Sequence, residues 1–243
     1  MRKPLTQVNR LRLVALAKAA VPRDRPVIAS IEPIILPVIA GQPRDVLEIG
    51  SGHGRTLAAL DLATARLVAV DIDISSLRRS EQREQVYRVC TNGECLPFPN
   101  ECFDLVISKV ALPYMNIPAA LREISRVTRP GGQLFLTLHG FEMAWHRIGH
   151  DLKLWRFHDV VFQFYAMLNG VTLRWLDAQF RWPLNRRTCE SVHTVGAITR
   201  ALGRAGFDNI VIQRRGRIFA AGARRRELDS RHKARGSART APE

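Results

Sequence analysis

The sequence predicts an α/β fold: a Rossmann-like, seven-stranded, mainly parallel sheet that is closed by an antiparallel hairpin and carries an inserted helical cap. Short runs rich in β-branched residues alternate with stretches of helical periodicity, which is typical of βαβ units. A group of closely spaced glycines follows the first of these runs. One aromatic-rich interruption of the alternation predicts the cap. The 243 residues are enough for one domain with a large core.

Strands and helices alternate through the first half of the predicted domain. The apolar, β-branched runs predict strands over 45–50, 65–72, 87–91 and 103–109. The stretches of helical periodicity predict helices over 55–63, 75–87 and 117–128. We expect Ser75 or Ser76 to cap the second helix, and the turn RPGG at 129–132 to end the third.

The second half completes the sheet with another strand, a helix and a hairpin. The run QLFLTLH predicts a fifth strand over 133–139. The helix predicted over 195–207 is expected to stop at Gly206, as a helix does at a C-cap glycine. Two apolar runs within 209–223 are separated by Gly216, which predicts the closing antiparallel hairpin.

Residues 141–191 interrupt this regular alternation and form the predicted cap. They hold 10 of the 17 aromatic residues, including all four tryptophans. Within them, the stretch 158–170 predicts a helix that ends at Gly170. Two roles are open for the aromatic rings, because they could contact an apolar or ring-bearing ligand or simply pack a helical layer onto the sheet.

The predicted organisation has three parts. Residues 1–44 are expected to form an N-terminal helical segment, residues 45–223 the α/β domain, and residues 224–243 a basic, disordered tail. The formal net charge of +15 is unevenly distributed, because residues 1–44 carry +6, residues 214–243 carry +7, and the remaining 169 residues carry +2. This distribution argues against a site built for a polyanion, while attachment of nucleic acid through the basic termini stays open.

The cysteines and the hydropathy pattern indicate a cytoplasmic protein. Cys90, Cys95, Cys102 and Cys189 include no C-x-x-C pair, and the first twenty residues lack the uninterrupted apolar stretch of a signal peptide. We therefore expect reduced thiols and no metal site. No segment offers about 18 uncharged apolar residues, so no membrane span is predicted. The sequence does not predict an oligomeric state.

The run Glu48-Ile-Gly50-Ser-Gly52-His-Gly54 is the predicted ligand-binding loop. Glycines directly after a buried strand let the backbone approach a ligand and open a helix N-terminus towards it. The dinucleotide fingerprint G-x-G-x-x-G is excluded, because its third glycine would fall at Arg55. Glu48 would repel a pyrophosphate but attract a ligand with an ammonium and a sulfonium group. Asp71 ends the second strand, where a carboxylate can bind both hydroxyls of a ribose, and Asp73 is the alternative for that role.

Four runs in this order resemble the successive motifs of class I S-adenosylmethionine-dependent methyltransferases, especially the group that includes enzymes of ubiquinone and menaquinone biosynthesis. The runs are VLEIGSGHG, VAVDID, NGECLPFPNECFDLVIS and LREISRVTRPGGQLFLTLHG. The resemblance covers about 45–140, and 195–223 resembles the closing helix and hairpin of the family. It implies S-adenosylmethionine as the cofactor and methyl transfer as the activity.

The resemblance also implies which residues bind the cofactor. Glycines 50, 52 and 54 would line its methionine part with Glu48 near the amino group, and Asp71 would hold the ribose. The adenine would lie between Ile72 and the amide of Asn92, and Ser108 would border the methyl group. The complete implied set is Glu48, Gly50, Gly52, Gly54, Asp71, Ile72, Asn92, Gly93, Glu94 and Ser108.

The side that binds the methyl acceptor departs from the family. Where the family often has a pair of histidines after the fourth strand, this chain has Leu112-Pro113-Tyr114. Candidate general bases are Tyr114, His139, His146 and His150. His146 and His150 could share a helix face, but no carboxylate accompanies them at a clear metal-ligand spacing.

The expected function is S-adenosylmethionine-dependent methyl transfer to a small acceptor that is hydrophobic or ring-bearing. One alternative is a methyltransferase that acts on RNA or protein and uses its basic termini as tethers. The other is a non-catalytic scaffold of the same fold that binds nucleic acid. The scaffold is expected not to bind the cofactor, whereas both enzymes are expected to bind it.

Overall fold

The computed structural model describes residues 37, 39–60, 62, 64–79, 85–185 and 189–227. Most of the predicted N-terminal segment and the tail beyond Glu227 lie outside these residues. The strands are β1 Asp45–Ile49, β2 Arg66–Asp71, β3 Val86–Cys90, β4 Phe103–Lys109, β5 Thr128–His139, β6 Phe207–Arg215 and β7 Ile218–Arg225. The helices are α1 Arg55–Ala59, α2 Ile74–Arg78, α3 Ile117–Val127, α4 Phe141–Lys153, α5 Phe157–Leu176 and α6 Val195–Arg204.

The seven strands form one mixed sheet in the order β3-β2-β1-β4-β5-β7-β6. The first five of these are parallel, and β7 runs antiparallel to both β5 and β6. The prediction of a mainly parallel Rossmann-like sheet with a closing hairpin is therefore confirmed. The strand order reverses between β1 and β4, and ligands of such sheets bind at the carboxyl ends of the strands beside this switch point.

Helices cover both faces of the sheet, and alternate residues of each central strand point to opposite faces. Leu47 and Ile49 belong to the core that includes residues of α3 and α6, whereas Val46 belongs to the core that includes residues of α1 and α2. All five residues of β1 are buried, including Asp45 and Glu48. Because β1 is buried on both faces, the residues that follow it lie deep at the carboxyl edge of the sheet.

Several predicted boundaries in the first half need correction. The helix expected over 55–63 ends at Ala59, and the cap of α2 is Asp73 rather than Ser75 or Ser76. The turn RPGG at 129–132 does not separate α3 from a later strand, because β5 already begins at Thr128. The irregular stretch is absorbed as a shift in the register between β4 and β5.

The C-terminal end of the domain follows the prediction closely. Gly206, with a φ of +88°, follows the end of α6, and Gly216, with a φ of +58°, lies in the hairpin turn. Strand β7 continues to Arg225, two residues beyond the predicted domain end at 223.

The cap consists of two consecutive helices, α4 and α5, that pack against each other. The prediction that Gly170 ends the cap helix is wrong, because α5 continues to Leu176. Gly170 is needed for a different reason: a Cβ there would overlap the carbonyl oxygen of Val192. The N–H of Val192 donates to the carbonyl of Ala166 (3.2 Å), so the chain before α6 lies directly on the backbone of α5. Within the described ranges, no helix is both long enough and apolar enough to cross a membrane.

Candidate functional site

The glycine run after β1 forms a tight loop at the carboxyl edge of the sheet. Gly50, Gly52 and Gly54 have φ values of +72°, +52° and +78°, which residues with a Cβ rarely adopt. The N–H groups of Gly50 and Ser51 both donate to the carbonyl of Val70 (2.8 and 3.0 Å), which ties the loop to β2. Gly54 is the N-cap of α1, so the loop leads directly into a helix N-terminus.

Two of the predicted cofactor residues are glycines at close contacts. A Cβ on Gly50 would overlap the Cβ of Ala111, which lies just beyond β4. A Cβ on Gly93 would lie 2.9 Å from side-chain atoms of Ile49 and Met115. Position 50 therefore requires glycine for a contact within the protein, and a side chain at position 93 would displace those atoms of Ile49 and Met115. The loops after β1, β3 and β4 meet at these contacts and enclose the candidate site.

Glu48 lies beneath the glycine loop and is 1% exposed. Burial raises the pKa of its carboxyl group to about 7, although hydrogen bonds from the Thr56 side chain and the Leu57 backbone and the charge of Lys109 act in the opposite direction. Its Oε2 atom is buried and has no hydrogen-bond partner among the described residues. A buried carboxylate oxygen without a partner is costly, so this atom is placed to receive a donor from a ligand.

Asp71 ends β2 and lies against the same loop. Its Oδ2 accepts the N–H of Gly52 and its Oδ1 accepts the N–H of Asp73, both at 2.8 Å. These two bonds fix the carboxylate at the edge of the sheet, and each oxygen has a second lone pair for a ligand hydroxyl.

Asp73, the alternative to Asp71, is engaged in capping α2. It accepts the N–H of Ser75 (2.9 Å) and the hydroxyls of Ser75 and Ser76. The hydrogen bond from the Ser75 side chain holds the pKa of Asp73 below its usual range. Its oxygens are thus used within the protein, which favours Asp71 for the ribose.

The remaining predicted cofactor residues differ in their surroundings. Ile72 is 55% exposed beside Asp71, and the side-chain oxygen of Asn92 accepts the N–H of Glu94 (3.0 Å). Glu94 itself accepts the N–H of Asn116 (3.0 Å) and lies 3.5 Å from Arg181. Glu94 therefore braces the start of α3 against the cap, and its contact with the cofactor stays a prediction.

Ser108 lies at the centre of the carboxyl edge of the sheet. It lies in β4 between Ile49 of β1 and Leu136 of β5 and is fully buried. Its hydroxyl oxygen has no hydrogen-bond partner among the described residues. Ser108 and Glu48 thus each present a buried, unpaired oxygen near the carboxyl ends of the two strands at the switch point.

The four candidate bases are placed differently by the structure. His139 ends β5, and burial and then the charge of Arg147 lower the pKa of its imidazole to about 4. Its Nδ1 is buried and has no partner in the described chain. Tyr114 is in a short 3₁₀ turn after β4 and is 46% exposed. His146 and His150 are exposed on α4.

His193, which the sequence did not single out, is fully buried beside His139. Its N–H donates to the carbonyl of His139 (3.2 Å), and its Nε2 lies 3.1 Å from the hydroxyl of Ser191. That hydroxyl also accepts from the side-chain amide of Gln179 (2.6 Å), whose oxygen accepts the N–H of Ile117. Burial and then His139 lower the pKa of His193 to about 3. Two neutral imidazoles therefore lie together at the end of β5.

No sequence signal marked His193, because its burial depends on the cap. It precedes α6 in an irregular segment that becomes buried only when the chain lies against α5. Among the residues that the structure describes, no group of three or more His, Cys, Asp or Glu side chains is arranged to hold a metal ion.

Part of this chain, which includes most of the candidate site, is similar to a known protein family. Residues 47–136 match the family described as methyltransferase domain. The chain is 35% identical over 130 residues to the malonyl-[acyl-carrier protein] O-methyltransferase of Halorhodospira halophila, a match over 48% of this chain and 44% of that protein. It is 37% identical over 90 residues to the demethylmenaquinone methyltransferase of Corynebacterium urealyticum, over 37% of this chain and 39% of that protein. The chain thus spans less than half the length of these curated relatives.

Solved structures support the same fold. A SAM-dependent methyltransferase from Methanosarcina mazei superposes with a TM-score of 0.53 at 19% identity, over 78% of this chain and 95% of that one. The 1,6-didemethyltoxoflavin-N1-methyltransferase of Burkholderia thailandensis, solved with 1,6-didemethyltoxoflavin and S-adenosylhomocysteine, superposes with a TM-score of 0.51 at 18% identity, over 76% of this chain and 72% of that one. At these identities the likeness extends to the fold alone.

Proposed function

We propose that this chain, which carries a class I S-adenosylmethionine-dependent methyltransferase domain with S-adenosylmethionine as its cofactor, methylates a small acceptor that is hydrophobic or ring-bearing. The observation that carries the proposal is the buried, unpaired Oε2 of Glu48 beneath a loop of three glycines with positive φ. An anionic cofactor would make this buried carboxylate more costly. A ligand with an ammonium group satisfies it.

The chain's own residues fit this cofactor. Glu48 would accept a hydrogen bond from the amino group, and Asp71 is held by two backbone N–H groups in position to accept from the ribose hydroxyls. Ile72, which is exposed, offers an apolar surface for the adenine. The bound cofactor supplies a methyl group already activated on a sulfonium, so the protein chiefly has to position the acceptor and exclude water.

On the acceptor side, we propose that His139, at the end of β5, and the adjoining His193 orient a polar atom of the acceptor. Both imidazoles have a buried Nδ1 with no described partner. Because their pKa values lie near 4 and 3, both are neutral at pH 7. Such groups are weak bases, and we propose that they position an acceptor hydroxyl or amine by hydrogen bonding while its proton leaves to solvent.

The character of the acceptor is supported by the loops around these histidines and by the relatives. Tyr114 follows β4, and Phe141 begins α4 immediately beyond β5. A relative named for demethylmenaquinone supports a ring-bearing acceptor, whereas another is named for a malonyl group on acyl-carrier protein. These relatives do not support the alternative of a nucleic-acid substrate.

Calorimetry with S-adenosylmethionine tests the enzyme against the non-catalytic scaffold. We expect the intact chain to bind the cofactor and Asp71→Ala to bind it about 10- to 100-fold more weakly, because each charge-assisted hydrogen bond contributes roughly 1.5–3 kcal/mol. Asp73→Ala is the matched control: it should lower stability by about 1 kcal/mol through loss of the cap of α2 and leave the affinity nearly unchanged. Failure of the intact chain to bind would refute the proposed function.

The acceptor itself calls for a screen of candidate compounds with methyl-labelled cofactor, read by the mass of the product. The basic tail can be examined in the same assay by ending the chain after Glu227. This end point preserves β7, which extends to Arg225. Unchanged activity of the shortened chain on the identified acceptor would contradict a tethering role of the tail.

A further inference from the structure

The solvent-facing side of α5 is almost entirely apolar. Of the exposed residues on this 20-residue helix, His158 alone is polar. Six exposed side chains, each between 44% and 66% exposed, form a continuous stripe with spacings of four and three residues in alternation. We call them the α5 stripe: Phe157, Val161, Phe164, Leu168, Val171 and Trp175.

The α5 stripe faces away from the domain. The buried residues of α5 that pack inward include Phe162, Ala166, Gly170 and Leu173. At 100° per residue these lie on the opposite side of the helix from the stripe. Among the residues that the structure describes, none covers the stripe, and an apolar surface of this extent normally marks an interaction site.

The charges on α5 favour a protein partner over a lipid surface. A helix that lies in a membrane interface typically has a polar face rich in Lys and Arg. The acidic and basic side chains of α5 are Asp159 and Arg174, and each is already engaged. Asp159 pairs with Arg156 (2.5 Å), and Arg174 lies over the ring of Trp175.

The spacing of the α5 stripe makes it complementary to itself. Its spacings of 4, 3, 4, 3 and 4 residues read the same in both directions, with the centre at residue 166. When two copies of the helix cross antiparallel about a twofold axis at this centre, every stripe position meets a stripe position of the other copy. The pairs are Phe157 with Trp175, Val161 with Val171, and Phe164 with Leu168. Alternating spacings of three and four are also those by which paired helices interlock.

We propose that this protein forms a twofold homodimer in which the α5 stripes of two copies pack antiparallel. The area is adequate. Given about 150–250 Å² for a whole aromatic side chain, the exposed parts of the stripe amount to on the order of 600 Å². Trp145 of α4, which is 57% exposed and contacts Phe164, extends this surface. A standard interface buries about 800 Å² per partner.

Sedimentation velocity of the full chain at micromolar concentration tests the dimer. The wild type should sediment as a dimer, and Leu168→Glu as a monomer, because the new carboxylate would be buried next to an apolar side chain of the partner. Val211→Glu is the matched control, since Val211 is similarly exposed but lies on the edge strand β6 and outside the α5 stripe. It should remain dimeric. Circular dichroism and cofactor calorimetry verify that Leu168→Glu is folded.

A mixture of two variants tests the antiparallel arrangement. Phe164→Lys and Leu168→Glu should each be monomeric alone. In the mixed dimer, the introduced lysine of one copy faces the introduced glutamate of the other. The symmetry-related contact is unchanged, because it pairs the native Leu168 of the first copy with the native Phe164 of the second. The mixture should therefore recover dimers. Parallel helices would instead place the introduced lysine of one copy against the native Phe164 of the other and recover none.

Three results would overturn the proposal. A wild-type monomer at tens of micromolar would do so, as would a Leu168→Glu variant that remains dimeric. Binding of monomeric wild type to vesicles of phosphatidylcholine and phosphatidylglycerol, abolished by Leu168→Glu, would assign the α5 stripe to a lipid surface instead. Each readout is independent of methyl transfer, so failure of the dimer leaves the proposed function intact.

Discussion

At the scale of single residues, Glu48 is the most informative side chain of the site. A carboxyl group with a pKa near 7 is largely protonated in mildly acidic solution and largely ionised above neutrality. The ammonium group of the cofactor should favour the ionised form. Cofactor binding and loss of a proton from Glu48 are therefore expected to be coupled.

This coupling predicts a pH-dependent affinity. Between about pH 5.5 and 7.5, where an α-amino group stays mostly charged, wild-type affinity for S-adenosylmethionine should rise with pH, by up to tenfold per unit below pH 7. Calorimetry in buffers of different ionisation enthalpy should detect the released proton. Glu48→Gln should bind more weakly, with a nearly flat pH profile. A profile for this variant as steep as that of the wild type would show that another group titrates.

The residues of the glycine loop were accessible to sequence reasoning because they are consecutive and follow a buried strand. Glu48, Gly50 and Asp71 all lie where their spacing predicts. The acceptor side was less accessible. His139 and His193 are 54 positions apart in the chain, and their proximity depends on how the segment after the cap folds back, which no local pattern encodes.

At the scale of elements, the cap shows how tertiary packing overrides a local signal. Gly170 has the position and type of a residue that ends a helix, and the sequence predicts that it does so. In the structure the helix continues, because the missing side chain admits the backbone of Val192. A glycine required for close packing and one required for a turn are the same letter in the sequence.

Two glycines of the cap should therefore respond oppositely to alanine. Gly170→Ala should destabilise the protein by roughly 1–3 kcal/mol or more, because the new methyl group forces the Val192 segment off α5. Gly149→Ala, in α4, should stabilise it by about 0.5–1 kcal/mol, because nothing lies near the new methyl group and alanine favours a helix. Urea unfolding measures both. Equal effects of the two substitutions would contradict this account of Gly170.

At the scale of the whole molecule, the α/β pattern was predictable throughout the sheet because each strand and helix has its own periodicity. The element boundaries around 128–132 were not predictable. The run RPGG is typical of a turn, but here it is part of β5, and a shift in the register between β4 and β5 accommodates it. The α5 stripe was present in the sequence as an apolar pattern, but its exposure depends on which face the domain covers.

The buried imidazoles should make the stability of the whole fold sensitive to acid. His193 has a pKa of about 3 when folded and about 6.5 when unfolded, so the unfolded chain binds more protons between these values. Its contribution is thus complete above pH 6.5 and decreases as the pH falls, by up to about 1.4 kcal/mol per unit. The raised pKa of Glu48 acts in the opposite direction, which masks the effect in the wild type alone.

A variant isolates the imidazole. His193→Gln retains a side-chain amide that can reach the hydroxyl of Ser191 and removes the titrating group, while His139 and Glu48 remain in both proteins. The difference in unfolding free energy between wild type and variant should therefore shrink as the pH is lowered from 6.5 to 4.5. Urea unfolding at several pH values measures it. A difference that stays constant with pH would mean that His193 is not held neutral in the folded state.

The contact between Gly50 and Ala111 joins the loop that follows β1 to the loop that follows β4. Each loop is also fastened to a neighbouring strand, the first through Gly50 to Val70 and the second through Val110 to Thr137. If the first loop holds the methyl donor and the second the acceptor, as the proposed function requires, backbone contacts and not side-chain rotamers would set the separation between them. Such preorganisation reduces the conformational entropy lost when the reactants bind. On this proposal, the reacting distance would be established during folding, before either reactant arrives.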